Sequence, residues 1–175
     1  MARNARGFTL LELMITVAVL AVALGVGGPS IDALLEHTRT TRTLHLATAA
    51  MSTARMEAVR RNRPVSVCPS ADGRSCRTDL VWSSGWLVFV DAGRTGQPTS
   101  REDVLQAFDG VGGNLAFRAT PGRPLVRFAP SGWSAGSNAT LRLCSSRGRE
   151  LARVVVNNAG RARTERHRSP PACPF

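Results

Sequence analysis

Hydrophobic patterning divides the chain into three stretches. From Phe8 to Gly28 the sequence is apolar except for Thr9, Glu12 and Thr16, and about 20 apolar residues suffice to cross a bilayer as a helix. From Ile31 to Asn62 the apolar positions Ile31, Leu34, Leu35, Leu44, Ala47, Ala50, Met51, Ala54, Ala58 and Val59 recur at helical spacing, with arginines between them. This predicts one long helix with a transmembrane first half and an amphipathic second half. Pro64, with the restriction it places on Arg63, ends it. Beyond Pro64 come short β-rich runs, "PVSVCPS", "GWLVFVD", "VLQAF", "NLAFRA", "LVRFAPSG", "ATLRLCS" and "LARVVVNN", separated by Gly, Pro, Ser and Asp. They predict antiparallel sheets. With no long-period repeat and no low-complexity linker, the β region is one domain folded against the helix. The expected class is α+β, and 175 residues hold one domain plus an extra element.

Charge sets the topology. Arg3 and Arg6 precede the apolar run, so the positive-inside tendency places the N-terminus in the cytoplasm and everything after Pro29 outside it. The run is too long for a secretory signal and no A-x-A-like site closes it. Glu12 stands out, because a charged side chain in lipid costs on the order of 3 kcal/mol unless it finds a cationic partner or the interface. Cys68, Cys76, Cys144 and Cys173, on the oxidising side of a membrane, suggest disulfides. Three pairings are open. The favoured one is a local loop from Cys68 to Cys76 with a long tie from Cys144 to Cys173, which would pin the C-terminus to a strand. A zinc site has no C-x-x-C pair, and His37, His45 and His167 do not fall at ligand spacing beside the cysteines.

The formal net charge is +11 and every basic residue is arginine, a field that attracts nucleic acid, anionic lipid or acidic partners. Arginine suits bidentate phosphate contact. The cluster "GRARTERHR" concentrates this charge near the end of the chain. Gly160 permits a turn where the preceding strand ends, and Arg161 and Arg163 point the same way if the chain stays extended, about 7 Å apart. Arg166 and Arg168 would extend that grip.

Other motifs carry less. "GWSAG" fits G-x-S-x-G, and Glu150 and His167 follow Ser134 in hydrolase order, but the elbow needs a following helix and "SNATLRLCS" reads as a strand. "DAGRTGQP" lacks the G-K-[ST] that holds nucleotide phosphates. No cofactor and no enzymatic activity are expected. Of the tryptophans, Trp86 lies in an apolar run and reads as core, whereas Trp133, beside glycines, is the candidate for exposure.

The stretch "ARGFTLLELM" resembles the processing motif of type IV pilins and type II secretion pseudopilins. "GWLVFVD", "FAPSGW", "LRLCS" and "VVVNNAGRARTE" resemble the GspH/FimT group of minor pilins and pseudopilins, so the resemblance covers nearly the whole chain. It implies the type IV pilin fold: a leader at 1–7, a transmembrane segment at 8–28, an amphipathic continuation at 29–63 and a β domain at 64–175. It also implies cleavage by prepilin peptidase between Gly7 and Phe8, methylation of the new terminus at Phe8, pairing of Glu12 with a neighbouring subunit's amine, and a helix kinked at Pro29. Expected partners are other major and minor pilins, the peptidase and, before assembly, the bacterial inner membrane, with the β domain in the periplasm and finally in an extracellular pilus. FimT-type minor pilins of naturally transformable bacteria carry a C-terminal G-R-x-R motif that binds DNA, which implies capture of double-stranded DNA here, without sequence preference because phosphate contacts carry no base code. Gly160, Arg161, Ala162 and Arg163 match the motif. The alternative is a structural or priming minor pilin, or a GspH-like secretion pseudopilin, that does not bind DNA.

Overall fold

The computed structural model describes residues 8–134 and 138–175, leaving aside the side chains at 23, 24 and 26–30. Gly7, and with it the expected cleavage bond, lies outside the described residues. The chain divides between His37 and Thr38 into two compact units.

The first unit is helical from Leu10, the start of helix α1 (Leu10–Arg61). Thr9 caps this helix: the Glu12 N–H donates to Thr9 Oγ1 (3.2 Å) and the Leu13 N–H to the Thr9 carbonyl (3.1 Å). Thr9 and Glu12 thus sit at the spacing of a capping box, with the acid in the first turn where the helix dipole favours it. Leu10, Leu11, Leu13, Met14, Ile15 and Val17 are exposed. Among the described residues no helix is long and apolar enough to cross a membrane. The expected span over 8–28 draws on residues 23, 24 and 26–28, whose side chains lie outside the described residues. Ile31, Leu34 and Leu35, expected on the apolar stripe, are exposed.

In the second unit the helix buries Thr40, Thr43, Leu44, Ala47, Ala50, Met51, Ala54 and Ala58, spaced by threes and fours along one face. Four of the eight are alanines, which let neighbouring backbones come close. Val59, also expected there, is exposed. Asn62, at φ 51°, ends the helix. Its N–H donates to the Val59 carbonyl and that of Arg63 to the Ala58 carbonyl, both at 3.3 Å, the paired bonds of a Schellman motif. Pro64 follows, and strand pairing starts at Val65.

Among the described residues, eight strands form two antiparallel four-stranded sheets. The first, in the order β3-β2-β1-β5, comprises β1 (Val65–Pro69), β2 (Gly85–Val90), β3 (Val104–Asp109) and β5 (Val126–Phe128). The second, in the order β4-β6-β7-β8, comprises β4 (Ala116–Ala119), β6 (Ala139–Cys144), β7 (Glu150–Val156) and β8 (Ala162–Arg166). One core joins the alanine stripe of α1 to Val65, Val67, Val88 and Phe128 of the first sheet and to Phe117, Leu141, Leu143, Val154 and Val156 of the second. Trp82 and Trp86 are buried in it, Trp86 stacked on Phe108 (5.6 Å) and edge-on to Phe117 (5.8 Å).

The four cysteines form Cys68–Cys76 and Cys144–Cys173. Both are therefore disulfides and not thiolate ligands, and among the described residues no group of His, Cys, Asp or Glu is placed to hold a metal ion.

Candidate nucleic-acid interface

The run "ARTER", which has no apolar alternation, is an edge strand and not a free tail. It pairs antiparallel with β7, Val156 opposite Ala162, Val155 opposite Arg163, Val154 opposite Thr164, Arg153 opposite Glu165 and Ala152 opposite Arg166. Alternation then sorts its side chains. Ala162, Thr164 and Arg166 lie beside the buried Val156, Val154 and Ala152, on the core-facing side, and Arg166 Nη2 donates to Thr41 Oγ1 on α1 (2.8 Å). Arg163 and Glu165 take the outward side. Arg166 faces away from Arg163 because it sits an odd number of residues along the strand. Arg161, Arg163, Arg166 and Arg168 are all exposed.

The hairpin turn is locked. The Gly160 N–H donates to the Asn157 carbonyl (2.9 Å), the Asn157 N–H to the Arg161 carbonyl (3.1 Å), and the Arg161 N–H to Asn157 Oδ1 (2.9 Å). Gly160 has φ +73°, and a Cβ there would run into the carbonyl oxygen of Gly132 and stand 3.5 Å from Arg55 Nε. Glycine is required twice over, by backbone conformation and by close approach. Gly132, itself at φ +78°, lies in a turn closed by its N–H onto the Ala129 carbonyl (2.8 Å). The Ser134 N–H donates to the Asn158 carbonyl (2.9 Å), so the two loops are bonded together. Trp133, between Gly132 and Ser134 in sequence, is 60% exposed.

On the outward side, Arg163 Nε lies 2.8 Å from Glu165 Oε1 and Arg153 Nε 2.7 Å from Glu165 Oε2. The Arg163 guanidinium, then that of Arg153, holds the Glu165 carboxyl below the usual carboxylate range, so one permanent anion sits between two cations. Arg163 remains 61% exposed at its side chain, and a guanidinium has five N–H donors. Most of its hydrogen-bonding capacity faces solvent.

Beyond β8 the chain is tied down. The Glu150 N–H donates to the Pro171 carbonyl (2.9 Å) and the Cys173 N–H to the Gly148 carbonyl (2.8 Å), beside the Cys144–Cys173 bond. Glu150, 2% exposed, accepts from Arg142 Nη1 (2.6 Å) and meets His167 Nε2 (3.1 Å). A Glu–His pair thus exists, but Ser134 is far from it. Ser134 is bonded to Asn158, just past the Val156 end of β7, whereas Glu150 begins that strand, and the intervening residues span about 20 Å. The three residues do not form a triad, β6 follows in place of the helix an elbow needs, and Gly136 lies outside the described residues.

Residues 45–160 match the family model of the type II transport protein GspH, and residues 2–28 match the prokaryotic N-terminal methylation motif. The chain belongs to the GspH family. Over 170 residues this GspH-family pilin is 32% identical to the pilin-like protein PilA1 of Thermus thermophilus, covering 91% of this chain and 98% of that protein. Its fold is similar to that of the type IV minor pilin FimU of Pseudomonas aeruginosa, with a TM-score of 0.62 and 20% identity over 80% of this chain and 98% of FimU. It is similar, too, to the minor pseudopilin EpsH of the Vibrio cholerae type 2 secretion system, with a TM-score of 0.50 and 14% identity over 72% and 95% of the two chains. The fold is therefore the type IV pilin fold, in a family of pilins and pseudopilins. The methylation motif implies a membrane-anchored pilus component. The GspH match ends at Gly160, and the arginine strand follows it.

Proposed function

We propose that this GspH-family pilin is a minor type IV pilin that captures extracellular double-stranded DNA for uptake in natural transformation, through the arginines of the β7–β8 hairpin. The observation that carries the reading is the presentation of Arg161, at the end of the hairpin turn, and Arg163, on the edge strand that follows, with the turn bonded to the neighbouring Gly132 loop. A preorganised cluster loses less entropy on binding than a free tail. Forked guanidiniums match phosphate oxygens, and phosphate contacts carry no base code, so binding is sequence-independent. Gly160, Arg161, Ala162 and Arg163 also match the G-R-x-R motif of FimT-type pilins residue for residue. Arg168, exposed beyond the strand, adds positive charge, whereas Arg166 is engaged with the helix.

In the same reading, prepilin peptidase cuts between Gly7 and Phe8 and Phe8 becomes the methylated terminus. The 8–28 segment holds the subunit in the inner membrane, with its β domain in the periplasm, until it joins other major and minor pilins in the extracellular pilus. Glu12, in the first turn of α1, supplies the anion that a neighbouring subunit's terminal amine meets.

The test is a fluorescence-anisotropy titration of labelled duplex DNA with the full chain in detergent micelles at two salt concentrations, beside Arg161→Ala/Arg163→Ala. Two lost phosphate contacts lower the magnitude of the log-affinity against log-salt slope by about 1.8. Salt-independent or absent binding by the wild type refutes the reading. A second reading, a structural or priming pilin, draws on the Arg163–Glu165–Arg153 bridge, which gives these arginines a folding role. It expects the double variant to bind as the wild type does.

A further inference from the structure

The outward face of the second sheet carries a row of arginines that the hairpin does not account for. Register places Arg118 of β4 opposite Arg142 of β6, Arg142 opposite Arg153 of β7, and Arg153 opposite Glu165 of β8. Their strand neighbours Phe117, Ala119, Leu141, Leu143, Ala152 and Val154 are all buried, so alternation puts the row on the face away from the core. At one strand spacing per step the row is about 14 Å long from Arg118 to Glu165.

Like charges directly opposite one another destabilise a sheet, yet three arginines stand side by side. Each is held by a separate contact. The Arg118 guanidinium lies 5.1 Å from the centroid of the Phe175 ring, Arg142 is on Glu150 and Arg153 on Glu165. These contacts orient the guanidiniums without covering them, since the side chains of Arg142 and Arg153 keep 29% and 33% of their exposure. Arg163 stands on the same face opposite Val155, and the period of two carries Arg161 to that side. The five arginines Arg118, Arg142, Arg153, Arg161 and Arg163 outnumber the carboxylates they meet, Glu165 on this face and the buried Glu150 that Arg142 reaches. At the β4 edge, Asp79 is paired with Arg77 and so adds no net charge.

We propose that Arg118, Arg142 and Arg153 continue the DNA site, so that the phosphate backbone held at the hairpin runs across the strands of the second sheet and meets these guanidiniums in turn. This rests on the reading of the hairpin as a DNA contact. A polyanion along the row offsets the repulsion between adjacent arginines, and each guanidinium, already oriented, offers its remaining donors to a phosphate.

The experiment extends the duplex titration of the full chain in micelles to Arg118→Gln/Arg153→Gln and Arg118→Lys/Arg153→Lys. The glutamine pair is expected to lower the magnitude of the salt slope by about 1.8 while salt-sensitive binding through the hairpin persists, and the lysine pair to keep the wild-type slope, because a point charge still meets a phosphate. A glutamine pair with the wild-type slope, beside a hairpin variant whose slope falls, overturns the row and leaves the hairpin reading intact. A lysine pair that loses slope as the glutamine pair does also overturns it, since the arginines would then act by supporting the fold. Wild-type protein that fails to bind overturns the hairpin reading, and this inference with it.

Discussion

Removing the Cys144–Cys173 bond should cost more stability than removing Cys68–Cys76, and the two loop lengths say by how much. The bonds close sequence separations of 29 and 8 residues. If a disulfide acts by limiting the unfolded chain, the loop-entropy relation gives ~3.6 kcal/mol for the longer loop and ~2.5 kcal/mol for the shorter. Cys68 and Cys144 are buried alike, at 1% and 2% exposure. Of their partners Cys76 is buried and Cys173 half-buried, so serine carries the larger packing penalty in the short-loop pair, and the loop difference of about 1 kcal/mol is an upper value for the excess loss. Urea unfolding of Cys144→Ser/Cys173→Ser and Cys68→Ser/Cys76→Ser, in the same micelles and at one pH, reads this as a midpoint lower by up to about 0.5 M for the first pair. The longer tie also holds the segment that donates to the Gly148 carbonyl, so its loss should expose the chain after β8 to limited proteolysis. A larger loss for the short-loop pair, or equal midpoints, would refute the entropic argument.

Three further outcomes follow from the geometry. Gly160→Ala meets both a left-handed φ and the Gly132 carbonyl, and should cost about 2 kcal/mol or more in thermal or urea unfolding; a neutral result would mean that the two loops separate freely. Glu150→Ala leaves Arg142 and His167 facing a buried gap, for a loss of about 2 kcal/mol, less than a fully buried pair because Arg142 reaches solvent; stability within experimental error of wild type would sink it. Hydrogen bonds from Arg60 and then Arg61 lower the Glu57 carboxyl from 4.5 to about 2, so its contribution is complete above pH 4.5 and disappears as pH falls through about 2. Both arginines are exposed, so the effect is below about 1 kcal/mol, and Glu57→Gln should melt with a flatter pH dependence across that window; superimposable curves would count against it.

Much of the fold was legible because its signals are local. The alanine-rich stripe from Leu44 to Ala58 shows helical period directly, and seven β-rich runs correspond to the first seven strands. The helix ends at Asn62 through a left-handed cap and not through Pro64 alone, and the Thr9–Glu12 spacing carries the capping signal at its other end. The eighth strand was hidden, since Ala-Arg-Thr-Glu-Arg has no apolar alternation and gains its order chiefly from pairing with β7. Nor does local pattern place β5 beside β1 or β4 beside β6. That long-range register is what sets Arg118, Arg142 and Arg153 side by side, from positions far apart in the chain, while period two turns Arg166 toward Thr41.

The position of β8 at the rim of its sheet has a consequence for crowding. A free rim offers unpaired backbone groups to any other strand that drifts past, and charged side chains are a common guard against such sheet-to-sheet growth. In a filament subunit, concentrated among its own kind before assembly, the arginines of β8 repel a second copy approaching rim to rim. Variants that strip this charge to study ligand capture thereby remove a safeguard against self-association, and the monodispersity of each preparation becomes part of the measurement.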